Sequence, residues 1–406
     1  MYIKRSLEHI IREMSAHFYV ILVTGPRQVG KTTLLEHAEA GQRSYVTLDD
    51  LNQRLVAQQN PAAFIDRLQL PVLLDEVQYA PQLFPYIKIK VDQLKQPGLF
   101  WLTGSQQFSM MKNISESLAG RVAILPLQGI SLAEEQGRPD NPAFLPTLEL
   151  IRSRQQKAQS LSQTTLYQKI WRGSYPHQVM SNERYWEQFY ESYTTTYIQR
   201  DVRDYLRIDN IAAFHKFMQI AATRSGQLLN YRDMAADVGV SEPTIRSWLT
   251  VLHASGIIYL LPPYFNNHAK RLIKTPKLYF MDTGLCCYLS GWLTPEVLER
   301  GAMNGPILET FVITEVIKSY LGCGRTPRIY FYRDKEKHEI DLLIEENGLL
   351  YPVEIKKTSS LAHIKLKAFS VLEHLNINIG PGAVLCMIDS PLPLSPNIEA
   401  VPIGYI

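Results

Sequence analysis

An apolar, β-rich run, YVILVT, passes directly into Gly25-Pro-Arg-Gln-Val-Gly30-Lys31-Thr32-Thr33 and then into a helical pattern, LLEHAEA. No other feature limits the fold as strongly. A G-x-x-x-x-G-K-T at a strand-to-helix junction requires a parallel sheet with a helix behind it, and it builds a phosphate cradle. Gly25 and Gly30, with Gln28 between them, let the backbone wrap close to phosphate oxygens, and the N–H groups of Lys31, Thr32 and Thr33 open the helix. Lys31 neutralises β/γ charge and the Thr32 hydroxyl is a ligand for Mg²⁺. The expected cofactors are ATP and Mg²⁺.

The rhythm continues through SYVTLDD, PVLLDEV, GLFWLTGS and VAILPL, separated by amphipathic segments, which predicts an α/β unit with a parallel sheet. PVLLDEV ends in Asp75 and Glu76 at the carboxyl edge of the sheet, where such sheets place ligands. Asp75 is the candidate Mg²⁺ holder. Glu76 is the candidate base that orients or deprotonates water, and Lys31 is counted with it as catalytic. Thr103 and Ser105 end the next strand as candidate γ-phosphate sensors, the alternative being helix caps. Arg121, after Ser117-Leu-Ala-Gly120, reads either as an arginine finger for a neighbouring subunit, which implies a homo-oligomer, or as a cation closing a helix.

The 406 residues carry 42 Lys+Arg and 39 Asp+Glu, so the net charge of +3 does not itself demand nucleic acid; any basic surface must come from local clusters. The hydrophobic content of 46% excludes a disordered chain, and no run is long and apolar enough for a signal peptide or a membrane span. Cys286, Cys287, Cys323 and Cys386 form no C-x-x-C pair, which fits reduced thiols in the cytoplasm. Proline, glutamine and serine replace the strand–helix rhythm between Gly137 and Lys169. The expected units are a P-loop unit over 1–136, a connector or exposed insertion over 137–169, a helical unit over 170–295 and an α/β unit over 296–406.

The motifs GPRQVGKTTLL, LDD, LLDEVQ, LTGSQQF and SLAGRV, then YIQRDVRDYL, GQLLNY, KRLIKTPKLYFMDTGL, EIDLLIE and VEIKK, occur in this order over nearly the whole chain. In this the sequence resembles prokaryotic AAA-type ATPases that carry a C-terminal region of unknown function. The resemblance implies an AAA-type ATPase of prokaryotic cytoplasm.

Tyr231 to Leu252 reads as a helix, a turn at Gly239 and a second helix with Ser241 as N-cap and Pro243 in its first turn. IIYLLPPY and KLYFMD then suggest the strands of a wing, making the unit winged-helix-like. Arg246 on the second helix and Lys270, Arg271, Lys274 and Lys277 in the wing are candidates for DNA phosphates, the alternative being a module that contacts protein. The alternating signs of Arg200, Arg203 and Arg207 with Asp201 and Asp204 read as a self-paired, solvated face.

Farther on, Glu309 lies in a helical stretch, Asp341 in HEIDLLIE, and Glu354 and Lys356 on one face of YPVEIKK. Asn347-Gly348 predicts a hairpin that brings Asp341 near Glu354. The order helix, three strands, helix, strand is similar to the restriction-endonuclease-like core. There, two acids hold Mg²⁺, the helix glutamate supports the metal shell, and the lysine orients water or balances phosphate charge. The combined expectation is a Mg²⁺-dependent ATPase acting on or near DNA with a nuclease-like C-terminal unit. The alternative is an ATP-switched adaptor for a protein partner with inert C-terminal carboxylates.

Overall fold

Alternation of side chains along each strand divides the first sheet between two cores. In the computed structural model, which describes all residues except 1, 40, 105–116, 182, 198–209, 266–273, 335, 337, 365 and 373–376, the strands are β1 (Val20–Thr24), β2 (Ser44–Thr47), β3 (Val72–Asp75), β4 (Phe100–Gly104) and β5 (Val122–Pro126). They form one parallel sheet in the order β2-β3-β4-β1-β5. Val20, Leu22, Val72, Leu74, Phe100 and Leu102 face a core closed by Phe64, Ile65, Phe84, Ile87 and Val91 from the crossover helices Pro61–Arg67 and Phe84–Leu94. Ile21, Val23, Leu73, Trp101 and Leu125 face the other way, into a core continuous with the remainder of the chain.

The middle region is mostly helical. Asn210 caps Ile211–Thr223, Asn230 caps Tyr231–Val238 and Ser241 caps Glu242–Ala254, each accepting a backbone N–H in the first turn. Gly239 has φ +88° and makes the tight turn between the last two helices. Strands β6 (Gln227–Leu228), β7 (Ile258–Leu261) and β8 (Lys277–Phe280) form an antiparallel sheet in the order β6-β8-β7. Trp171 and Trp186 stack with ring centroids 4.4 Å apart, and the Tyr190 hydroxyl donates to Asp282.

The long helix Asn304–Gly322 is buried along most of its length. It lies under a mixed sheet of β9 (Ile329–Arg333), β10 (Glu339–Glu346), β11 (Leu349–Ile355), β12 (Gly382–Cys386), β13 (Leu392–Ser395) and β14 (Ile398–Pro402), ordered β13-β14-β12-β11-β10-β9. Asn347 and Gly348, at φ +51° and +76°, make the β10–β11 hairpin. The expected count of four strands is corrected to six among the described residues. β13 pairs only with β14 at the sheet edge, where the prolines of PLPLS can stand without breaking a ladder on both sides. The middle and C-terminal sheets are joined: the Phe331 N–H donates to Pro262 O at 3.1 Å, and the Tyr264 N–H to Phe331 O at 2.7 Å.

The reading of 137–169 as an exposed insertion is also corrected for its first half. Arg154 is 3% exposed and donates to Tyr405 O and Pro142 O, Arg138 donates to Gly404 O, and the Phe144 N–H donates to Ser319 Oγ. Buried arginines satisfying main-chain carbonyls do not register as apolar periodicity, so the stretch looks like a linker.

The N-terminal segment is anchored by one buried ion pair. Arg5 Nε lies 3.0 Å from Glu134 Oε2, both side chains are 6% exposed, and the guanidinium also donates to Val29 O, Gln128 O and Gly129 O. Glu134 in turn accepts from the N–H groups of Ser6 and Ser131. Arg5→Met leaves a buried carboxylate without its counter-ion and three carbonyls without a donor. It is expected to lower stability by about 3 kcal/mol, read as a fall in the denaturant midpoint; an unchanged midpoint would show that the pair contributes nothing net.

Candidate nucleotide site and C-terminal carboxylate cluster

The turn from β1 into the helix Lys31–Glu39 uses left-handed or glycine-only backbone at Gly25 (φ +146°), Gln28 (φ +62°) and Gly30 (φ +87°). At Gly25 the requirement has a second cause, since an added Cβ would lie 2.1 Å from Leu127 O where the chain leaves β5. Lys31 is 6% exposed, and its ammonium donates to Gly25 O at 3.1 Å and Pro26 O at 2.9 Å, which places the charge inside the loop. The first N–H groups of the helix, at Lys31, Thr32 and Thr33, point out of the same turn.

Four hydroxyls converge on Asp75. Thr32 Oγ1 donates to Oδ1 at 2.7 Å, Thr103 Oγ1 donates to the same oxygen, Tyr45 OH donates to Oδ2 at 3.1 Å, and Thr47 Oγ1 lies 3.4 Å from Oδ2. Burial, followed by the Asp75 charge, pushes the Tyr45 phenol up to about 12, so it remains a donor. Glu76, at φ +57°, departs from strand geometry immediately after Asp75; its N–H donates to Thr103 Oγ1 at 3.0 Å and its carboxylate accepts from the Gln78 amide. Thr103 is fully buried and links Asp75 to Glu76, rather than standing at the ligand face as a γ-phosphate sensor. Ser105 lies outside the described residues.

Arg121 begins β5 at the edge of the sheet opposite Gly25, its carbonyl accepting from the Val20 N–H. Its guanidinium grips Asp92 at 2.6 and 2.9 Å and holds that carboxyl below its usual range. It does not reach the P-loop of its own chain. A cleft of about 430 Å³ that no motif signalled opens beside Gly30 and Thr33, between Tyr2, His37, Pro176 and Met180. The rings of Tyr2 and His37 stack at 3.7 Å on one wall. Its walls come from chain segments far apart in sequence, so no local pattern announces it.

The C-terminal residues do come together. The register Leu342↔Val353 sets Asp341 opposite Glu354, and Asp341 Oδ2 accepts the Ile355 N–H at 2.8 Å. Lys356 Nζ lies 2.5 Å from Glu354 Oε2 and 4.0 Å from Asp341 Oδ2. Among the described residues, Glu354 Oε1 is buried with no hydrogen-bond partner. Burial and then the neighbouring Asp341 charge push Glu354 up to about 7, against the pull of Lys356; burial likewise raises Asp341 and Glu309. Glu309 is held from another sheet: Lys277 Nζ lies 3.0 Å from Glu309 Oε1 and also pairs with Glu339, while the Tyr279 hydroxyl donates to Glu309.

One expected DNA cation is therefore corrected. Lys277 is 4% exposed and committed to carboxylates. Arg246 pairs with Glu242 one helical turn away and lies 3.8 Å above the Tyr231 ring. Lys270, Arg271, Arg200, Arg203 and Arg207 fall outside the described residues.

A phosphate cradle after β1, an aspartate–glutamate pair after β3, and a strand inserted between those two define an AAA-type P-loop domain. Consistent with that, residues 17–135 match the family profile described as an AAA domain; residues 163–296 and 304–406 match two domains of unknown function (DUF8612 and DUF4143). The chain thus carries an AAA/P-loop domain and a C-terminal domain of unknown function, as its resemblance implied. Uncharacterized proteins of Mycobacterium tuberculosis and Mycobacterium bovis are 29% identical to it over 395 residues, 95% of this chain and 80% of theirs. Among solved structures, the Walker-type ATPase PABY2304 of Pyrococcus abyssi aligns over 71% of this chain and 96% of its own at 15% identity and TM-score 0.47. The Thermotoga maritima RuvB Holliday junction branch migration motor aligns over 63% and 86% at 18% identity and TM-score 0.30. Among the described residues, no helix is long and apolar enough to cross a membrane.

The raised Glu354 carboxyl has a consequence for stability. Its native form keeps its proton up to about pH 7 whereas the ordinary value is 4.5, so the native state binds more protons in between and loses stability as pH rises through that window. In chelator-treated protein, Glu354→Gln is expected to match wild type near about pH 5 and to melt higher near about pH 8. A melting-temperature difference that does not grow across that range would contradict the assignment.

Proposed function

We propose that this chain hydrolyses ATP with Mg²⁺ and acts on or near DNA. The observation that carries the ATPase reading is the Thr32–Asp75–Thr103–Glu76 hydrogen-bond chain beside the Lys31 loop. The donor set fits the metal: Thr32 gives its hydroxyl proton to Asp75, which leaves its oxygen lone pairs for a cation, and Asp75 is placed to hold that cation's water. When bound, Mg²⁺ offsets charge on the phosphates. Lys31 and the helix N–H groups bind the same oxygens, Gln28 shapes the loop, and Glu76 orients and accepts a proton from water. The cleft walled by Tyr2, His37 and Pro176 is of the size and position for the nucleoside.

For the C-terminal unit we propose a divalent-cation site at Asp341 and Glu354, with Lys356 beside it and the nuclease-like fold as its frame. The unpartnered, buried Glu354 Oε1 supports it, since a buried acceptor without a donor is costly unless a cation takes it. We place the units at 1–136, 137–169, 170–295 and 296–406, the third winged-helix-like from its order of helices and strands. The adaptor reading, in which that unit contacts protein, is favoured by the commitment of Lys277 within the chain. Gel shifts over a salt series, with and without ATP, separate the two: DNA binding that weakens steeply with salt favours the first, no shift at low salt the second.

Lys31→Ala is expected to abolish nucleotide binding, and Glu76→Gln to keep binding while lowering phosphate release by about a hundredfold or more. Undiminished release by Glu76→Gln would remove the assigned base. Arg121 reads as a finger in trans: mixtures of inactive Arg121→Ala and Lys31→Ala protein are expected to regain activity. Co-assembly without recovery would end that role.

A further inference from the structure

The C-terminal acids differ in what already satisfies them. Glu309 Oε1 receives both the Lys277 ammonium at 3.0 Å and the Tyr279 hydroxyl, and both donors stand on β8 of the middle sheet. Lys277 is 5% exposed at its side chain and is also bound to Glu339 at the start of β10. Glu339 has a further, longer contact with Arg333 at 3.6 Å. A cation taking Glu309 Oε1 must therefore compete with a buried ammonium and a hydroxyl already bound there. Asp341 and Glu354 have Lys356 as their nearest cation, with a side chain 41% exposed and able to swing into solvent, Asp341 also accepts the Ile355 N–H, and among the described residues Glu354 keeps one oxygen bare.

We infer that the carboxylate cluster is two sites rather than one: Asp341 and Glu354 are the divalent-cation pair, and Glu309 is neutralised by Lys277, a cation supplied by the middle unit, whose charge sets the affinity of the neighbouring pair. This rests on the divalent-cation reading above and removes Glu309 from the metal shell that the fold resemblance assigned to it. Lys277 lowers the attraction of the cluster for a second cation by Coulomb repulsion and by satisfying two of its acids. The backbone bonds from Pro262 and Tyr264 to Phe331 fix β7, and through it β8, against β9, so the ammonium is delivered only while the two sheets remain joined. Affinity at the C-terminal pair therefore reports the seating of the middle unit.

The test is Mn²⁺ binding to the full chain, followed by electron paramagnetic resonance of free Mn²⁺ in a Lys31→Ala background that removes the nucleotide-dependent site. Glu354→Gln and Asp341→Asn are expected to abolish binding, and Glu309→Gln only to weaken it, by less than about tenfold, because one nearby negative charge is lost. Lys277→Gln is expected to tighten it by about tenfold, because a buried positive charge is lost near the cation. Tyr279→Phe, which removes a contact on Glu309 without altering charge, is expected to leave affinity near wild type. Loss of binding in Glu309→Gln, or unchanged or weaker binding in a folded Lys277→Gln, overturns the division while sparing the cation site. If Lys277→Gln does not fold, the Glu309→Gln result still decides. Absence of Mn²⁺ binding in the parent protein overturns the cation reading itself, and the division with it.

Discussion

The guanidinium of Arg5 closes the structure around the phosphate loop. It joins the segment before the first helix to the loop carbonyl of Val29, to the exit from β5 and to Glu134, which caps the short helix Leu132–Glu135. The same helix start is held from the other side by Glu315, which accepts the Leu132 N–H at 2.6 Å and pairs with Lys318. One buried charge pair thus lies between the nucleotide loop and the long C-terminal helix. Taking such charges out of water is costly, and the arrangement is tolerable because each guanidinium nitrogen of Arg5 and each carboxylate oxygen of Glu134 finds a partner.

The two candidate sites use acid groups in opposite ways. Around Asp75, hydroxyl donors surround the carboxylate and fix its orientation. Around Glu354 the donors run short, and the carboxyl is raised by burial and by Asp341. A carboxylate wrapped in hydroxyls is a fixed part, oriented before any ligand arrives. One with a bare buried oxygen has a strong electrostatic reason to take a cation.

What was readable in the sequence was what is local. The five strands of the first sheet show as apolar runs, the loop as fixed glycine spacing, and the β10–β11 hairpin as Asn347-Gly348. Asp341 and Glu354 were brought together by that hairpin, because a two-residue turn fixes register. The misses share a physical cause. Arg138 and Arg154 look solvated in sequence and are buried because carbonyls from residues 142, 404 and 405 meet them. Lys277 looks like a phosphate ligand until Glu309 and Glu339 fold onto it. The cleft beside Gly30 is walled by Tyr2 and by Pro176, which no window contains together. Long-range polar satisfaction leaves no period to detect.

The core on one face of the first sheet does not stop at its boundary. Ile21 and Val23 share a single buried cluster with Tyr190, Phe214, Val312 and Ile406. Stretches matching three separate family profiles therefore have no private interiors on that side. Recombination that exchanged any one of them would present apolar surface shaped for a partner it no longer had, and the foreign piece would have to match in both volume and contour. A substitution facing the shared core in one region therefore constrains what its neighbours in the other two can become.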